Sequence, residues 1–417
     1  MSLLPKRTFW IALAIASASI LTFLNTVDAQ IVDDNSLVEN QTFLDWCLQY
    51  DELLEATQYS VQYLLENAET NDCYEASQTL TTQTALRNRG PSVQGDFRPF
   101  ASLTAVTDIK VTLWVQSSTV VDFAPLNNLP ALERLEVSGR IYDLTPFSAL
   151  ENLDDLTIRH NVSSRDPSLQ DLSPLTSLDS LRLLEIHTSF GAISDLTPLS
   201  ELRNLEELRI YSENDIRDLS PISTLNRLRV LNLGANPLHE LSPLHDLSAL
   251  TEFSISQSEI TDLSPFHGLS QLRDLRVAHS QVRDLSPLSE LRDLTEISLN
   301  GNQISDLSPL QTLINLQKLD ASENQITDIA PLANLTELEG INLTDNDISD
   351  LSALANLNQL RFLAIDGNPI TDLSPLSGLT NLEYLEIPND PDLDLSPLEA
   401  LYEQGNLQIR RGRCGRC

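Results

Sequence analysis

Apolar residues recur along this chain at spacings of three, three and two. A clean example is Leu291-x-x-Leu294-x-x-Ile297-x-Leu299, followed by Asn302-x-Ile304. The closing Ile-x-Leu step alternates with polar neighbours, the period of a short strand with one face turned inward. A pentapeptide of the type Asp-Leu-Ser-Pro-Leu follows. Serine suits a cap position and proline the first helical position, which predicts a short helical turn of 3₁₀ type. Variants of this pentapeptide begin at Asp218, Glu240, Asp262, Asp284, Asp306, Asp328, Asp350, Asp372 and Asp394, each 22 residues after the last. Upstream they recur less evenly at Asp122, Asp143, Asp171 and Asp195, giving about 13 units. A fainter unit, Asp96-Phe97-Arg98-Pro99-Phe100, opens the array.

No single 22-residue coil can bury its own leucines, so each must stack its apolar edge on the next. The pattern therefore predicts an α/β repeat solenoid. A parallel β-sheet lines the concave side of the horseshoe, short 3₁₀ turns form the convex side, and the N-terminal cap is helical. Asparagines at the turn, Asn214, Asn236, Asn302, Asn324, Asn346 and Asn368, are placed to bond backbone groups left unpaired inside the bend. Ser258, Ser280 and Asp390 break that column, and the shorter side chains predict locally looser coils. Over residues 100–400 the repeat resembles the 22-residue leucine-rich repeat of bacterial internalins. The resemblance implies that the aspartate before Leu-Ser-Pro belongs to a structural consensus, and that a protein partner docks on the concave sheet.

The ends differ from the array. Lys6 and Arg7 precede an apolar run from Phe9 to Leu24, and Val27-Asp28-Ala29 places small residues where a signal peptidase reads, so cleavage is expected before Gln30. The rival, an uncleaved anchor, would need roughly 20 apolar residues to span a bilayer. The expected organisation is a signal peptide over 1–29, a helical cap over 30–95, repeats over 96–397 and a C-terminal cap with an Arg/Cys tail over 398–417. The mature chain is then exported, periplasmic or extracellular, with no integral membrane span.

With 60 acidic against 26 basic residues, the formal net charge is −34, and losing Lys6, Arg7 and Asp28 with the leader makes it −35. Such a surface repels phosphate backbones, so no nucleic-acid partner is expected. Export permits disulfides. Cys47 and Cys73 lie near one end and Cys414 and Cys417 near the other, and a solenoid of a dozen coils separates its ends by about 60 Å. Pairing must be local, with Cys47–Cys73 clamping the cap. Cys414-Gly-Arg-Cys417 has redox spacing but no following helix, so a local disulfide or an intermolecular link is the expectation.

Chemistry is sparse. The aspartate column could hold calcium through carboxylate oxygens, or each aspartate could simply accept backbone hydrogen bonds in its own turn, and the second reading is preferred. His245 and His267 are one repeat apart but lack a third ligand, so no metal and no cofactor are expected. No nucleophile elbow, dinucleotide loop or phosphate loop occurs, and no enzymatic activity is expected. What remains is the outward face of the strands. Its large side chains Trp114, Arg209, Tyr211, Arg276, Phe362 and Tyr384 are of the types that anchor interfaces. They are the candidate binding residues for a protein. A glycan or envelope polymer stacked on the same aromatics is the alternative.

Overall fold

The computed structural model describes residues 41–87, 93–113, 121, 123–141, 143–160, 169–188, 193–403, 405 and 407–412. The leader, Trp114, Asp122, Cys414 and Cys417 lie outside the described residues.

Fifteen strands, from β1 (Ala85–Leu86) to β15 (Gln408–Arg411), pair in chain order in one parallel sheet among the described residues. The 22-residue period is also the pairing register: Glu296, Lys318, Gly340, Phe362 and Tyr384 stand side by side on successive strands. Each coil returns through a 3₁₀ turn such as Ser286–Leu288 or Ser308–Thr312. The leucines between turn and strand are buried, so one hydrophobic core runs unbroken from Phe43 to Leu407. The fold is the leucine-rich-repeat arc that the spacing predicts.

The aspartates accept backbone hydrogen bonds in their own turns, as expected, but serine does not hold the cap position. Serine is the first residue inside the turn and proline the second, as in Ser220–Ile222, while the cap position falls on Leu219. The capping side chain is the aspartate: Asp218 Oδ1 accepts the Ser220 N–H at 2.8 Å. The same bond closes turns from Asp143 through Asp306 to Asp394. An aspartate two positions back reaches the first free N–H as an Asx turn, which a serine already inside the turn cannot do. Hydrogen bonds from Ser220 hold the Asp218 carboxyl below its ordinary range, and Asp284, Asp306 and Asp372 behave alike.

Inside the bend, Asn324 Oδ1 accepts the Ile304 N–H of the preceding coil at 3.0 Å, while its Nδ2 donates to Leu299 and Ala321 carbonyls. Asn302, Asn346 and Asn368 repeat the arrangement. The coils at Ser258 and Ser280 are not left open as expected. The two buried hydroxyls bond each other at 2.7 Å, and Ser280 also donates to the Ala278 carbonyl, so neighbouring short side chains satisfy one another. In the uneven early coils His160 takes the asparagine's role, its Nδ1 accepting the Ile141 N–H at 3.1 Å.

The N-terminal cap is built from α1 (Phe43–Leu48), α2 (Glu55–Asn67) and α3 (Cys73–Thr82). A Thr42/Asp45 capping box starts α1. A disulfide joins Cys47 to Cys73 as expected. The Tyr63 hydroxyl lies 3.0 Å from the Leu86 carbonyl and 2.7 Å from that of Lys110, tying α2 to the first strands. Phe97, Phe100, Phe123 and Phe147 pack ring against ring beneath it. At the other end α4 (Glu399–Glu403) leads into β15, which closes the sheet.

The concave face as candidate functional site

Side chains on the concave face fall into columns, because parallel in-register strands place equivalent positions about 4.8 Å apart. In the early part of the sheet these columns are interlocked by charge. Lys110, on β2 (Asp108–Thr112), meets Glu136, on β3 (Arg134–Gly139), at 2.8 Å. Arg159, on β4 (Asp155–His160), reaches Glu136 and Glu185 at 3.0 Å each, and also the His187 ring. Glu185 and His187 share β5 (Leu183–His187), and the His187 ring stacks on Tyr211 of β6 (Glu207–Tyr211) with centroids 4.5 Å apart. Burial alone would raise the Glu136 carboxyl, but hydrogen bonds from Lys110 and Arg159 hold it below its ordinary range. Asp155 is the exception: burial, with Asp108, Glu185 and Asp154 nearby, pushes its carboxyl up to about 6 despite Arg134.

Further along, the face opens into a groove of about 640 Å³. It runs from Asp274 and Arg276 on β9 (Asp274–Ala278) to Phe362 on β13 (Phe362–Ala364) and Tyr384 on β14 (Tyr384–Ile387). Phe362 and Tyr384 stack with centroids 5.1 Å apart and planes 4° from parallel. Phe362 keeps 41% of its surface exposed, unusual for a large apolar side chain here. Lys318 binds Glu296 at 2.6 Å, and Arg361 binds Glu383 at 2.7 Å. Between Lys318 and Phe362 the column holds only Gly340, on β12 (Gly340–Asn342).

The structure thus brings Arg276, Phe362 and Tyr384 to one groove. Arg209 and Tyr211 sit together on β6, away from it, with Arg209 paired to Glu207. Trp114 lies outside the described residues. Sequence reasoning passed over Gly340 and Glu339. Their signal was present in the 22-residue alignment, where Gly340 replaces a side chain carried by every neighbouring coil. Among the described residues no group of three or more His, Cys, Asp or Glu side chains is arranged to hold a metal ion. No helix among them is long and apolar enough to cross a membrane.

Comparison with known proteins agrees with this geometry. A family model described as leucine-rich repeats (2 copies) matches residues 270–312 and 314–356. Over 74 residues, 17% of this chain, the sequence is 36% identical to internalin I of Listeria monocytogenes. Over 122 residues it is 29% identical to a protein phosphatase 1 regulatory inhibitor subunit homolog of Arabidopsis thaliana. The matched regions span only 4% and 34% of those two proteins' own lengths. The crystal structure of an internalin, InlF, from Listeria monocytogenes superposes with a TM-score of 0.61 at 26% identity, covering 81% of this chain and 89% of that one. The repeats and these likenesses support a leucine-rich-repeat protein of the bacterial internalin type.

Proposed function

We propose that this chain is an exported, non-catalytic recognition module that docks a protein on its concave sheet. Phe362 and Tyr384 are the principal anchors, Arg276 lies on the far rim, and Arg209, Tyr211 and Trp114 are further contacts. The leader over 1–29, the cap over 30–95 and the C-terminal cap with its Arg/Cys tail over 398–417 complete the proposed organisation. One observation carries the reading: two parallel stacked rings, Phe362 exposed and Tyr384 half-buried, stand inside a groove. Buried apolar surface is worth about 25 cal/mol per Å², so a partner that covers these rings gains energy that solvent cannot offer. The groove's aromatics and its Arg276 and Arg361 are of the residue types enriched at interfaces.

The test is a pull-down from envelope and secreted fractions with the purified protein and a matched bait carrying Trp114→Ala, Tyr211→Ala, Phe362→Ala and Tyr384→Ala. A protein held by the first bait and lost by the second supports docking on the concave face. Identical captures overturn the assignment of anchors. Should no protein be held while calorimetry with cell-wall oligosaccharides gives heat, the ligand is a glycan instead.

A further inference from the structure

We propose that the notch above Gly340 is a receptor for a single arginine side chain of the protein partner. This rests on the docking reading and adds to it the chemistry of the central contact. Lys318, Gly340 and Phe362 occupy the same position on three successive strands. Two strand spacings separate the outer pair by about 10 Å. A flat group in van der Waals contact on both sides needs about 7 Å. A methyl placed on Gly340 would meet only the Lys318 stem at 3.9 Å and Phe362 Cβ at 4.0 Å, so the floor is open. The far face of the Phe362 ring is taken by Tyr384, which leaves its near face to the notch.

Shape alone admits any planar group, and charge selects among them. Five carboxylates and three cations line the groove, a net of −2. Lys318 is committed to Glu296, on the side away from Gly340, and Arg361 to Glu383. Among the described residues neither Glu339, adjacent to Gly340, nor Asp274 takes part in an ion pair. Lys318 acts on both through its charge without pairing with either, and a carboxylate or phosphate entering here meets the groove's net negative charge. A neutral aromatic ring stacks but leaves Glu339 unanswered. A guanidinium does both: its plane lies on the Phe362 ring, and its N–H groups can donate to a carboxylate.

The experiment is saturation-transfer NMR on the purified protein with N-acetyl-arginine methylamide, its uncharged citrulline counterpart and the tyrosine analogue. Three variants accompany the native chain. Gly340→Leu fills the notch, Glu339→Gln removes the nearest unpaired charge, and Gly378→Ala is a control at a position with open space. Neither Gly340 nor Gly378 has the positive φ that would strain a side chain. The arginine probe is expected to bind about fivefold tighter than citrulline. Binding should vanish in Gly340→Leu, weaken about threefold in Glu339→Gln, and persist in Gly378→Ala. Equal binding of arginine and citrulline, preference for the tyrosine probe, or undiminished binding to Gly340→Leu overturns the proposal. A captured protein that is lost on Phe362→Ala yet kept by Gly340→Leu also overturns it while leaving the docking reading intact. Failure of the four-alanine bait to lose any protein overturns the assignment of anchors on which the docking reading rests.

Discussion

The two halves of the concave face share one backbone and use charge in opposite ways. From Lys110 to Tyr211, Arg159 bridges glutamates on both neighbouring strands, Lys110 shares one of them, and the chain of contacts ends in a ring stack. From Asp274 to Tyr384, pairs such as Lys318–Glu296 and Arg361–Glu383 stand apart, and the stacked rings are left in a groove. Arg159 illustrates the first arrangement, since its guanidinium satisfies two glutamates and touches a histidine. A network of this kind fixes its own side chains and offers little to a partner. The second half keeps aromatic surface and unpaired acids, which an incoming chain can complete. Repetition supplies the scaffold, and the pairing pattern decides which part of it is available.

The largest effect expected from this contrast is on binding. Against a partner identified by pull-down, Phe362→Ala with Tyr384→Ala should weaken affinity by about 2 kcal/mol, roughly 30-fold, as for a central anchor. His187→Ala with Tyr211→Ala should change it less than about threefold, because those rings already stack on each other within the network. Surface plasmon resonance with both double variants decides it. If the second pair proves the stronger, the two halves have exchanged roles.

A smaller effect, on stability, should run the other way. Arg159→Ala leaves Glu136, Glu185 and His187 without their shared donor, and should destabilise the early coils by about 1–1.5 kcal/mol, allowing for its partial exposure. Because coils interact mainly with their neighbours, the change should be local. Hydrogen exchange should show faster opening over residues 134–188 and none over 318–387. Uniform acceleration along the chain would mean that the network does not act as a unit.

Most of the scaffold was legible because one repeat constrains all the others. The leucine spacing fixes strand and turn, and nine units in register leave the sheet order no freedom. The site was less legible for a physical reason. Phe362 and Tyr384 could be recognised as outward-facing, but their stacking and the notch beside them depend on three adjacent strands, and Gly340 contributes by lacking a side chain. The cap position given to serine and the reciprocal Ser258–Ser280 bond were misjudged for a related reason, whereas the backbone bond to Asp218 was expected. Residue preference was read at one position when the hydrogen bond belongs to a pair. His160 was invisible because the early coils vary in length and the asparagine position cannot be counted off.

Asp155 gives the charged half a pH dependence. Its folded carboxyl is raised to about 6 from an ordinary 3.8, so the folded chain keeps a proton that the unfolded chain has released. Stability from this residue therefore falls as pH rises through that window and stays low above it. Asp155→Asn should stabilise the protein at pH 8 by on the order of 1 kcal/mol, discounted for partial exposure, and by nothing below about pH 4. Urea midpoints of the two proteins at several pH values test this. A gain that persists unchanged at pH 3.5 would assign it to packing against Leu183 rather than to charge.

The smallest effect is the most discriminating, because it concerns an isolated pair. Lys318 and Glu296 meet at 2.6 Å, but both side chains are well exposed, at 60% and 41%. Pairs of this kind contribute about 0.2–0.5 kcal/mol, and salt screens them. Lys318→Ala should thus shift the urea midpoint barely above error at low salt and not at all in 1 M NaCl, where Arg159→Ala should retain most of its effect. The same variant also removes the cation one strand from Gly340 and frees Glu296. If the groove recognises a cationic side chain, Lys318→Ala should bind its partner about two- to threefold tighter while leaving stability nearly untouched. A substitution that weakened both would place Lys318 with Arg159, as part of the scaffold, and the boundary between the two halves would move three strands toward the C-terminus.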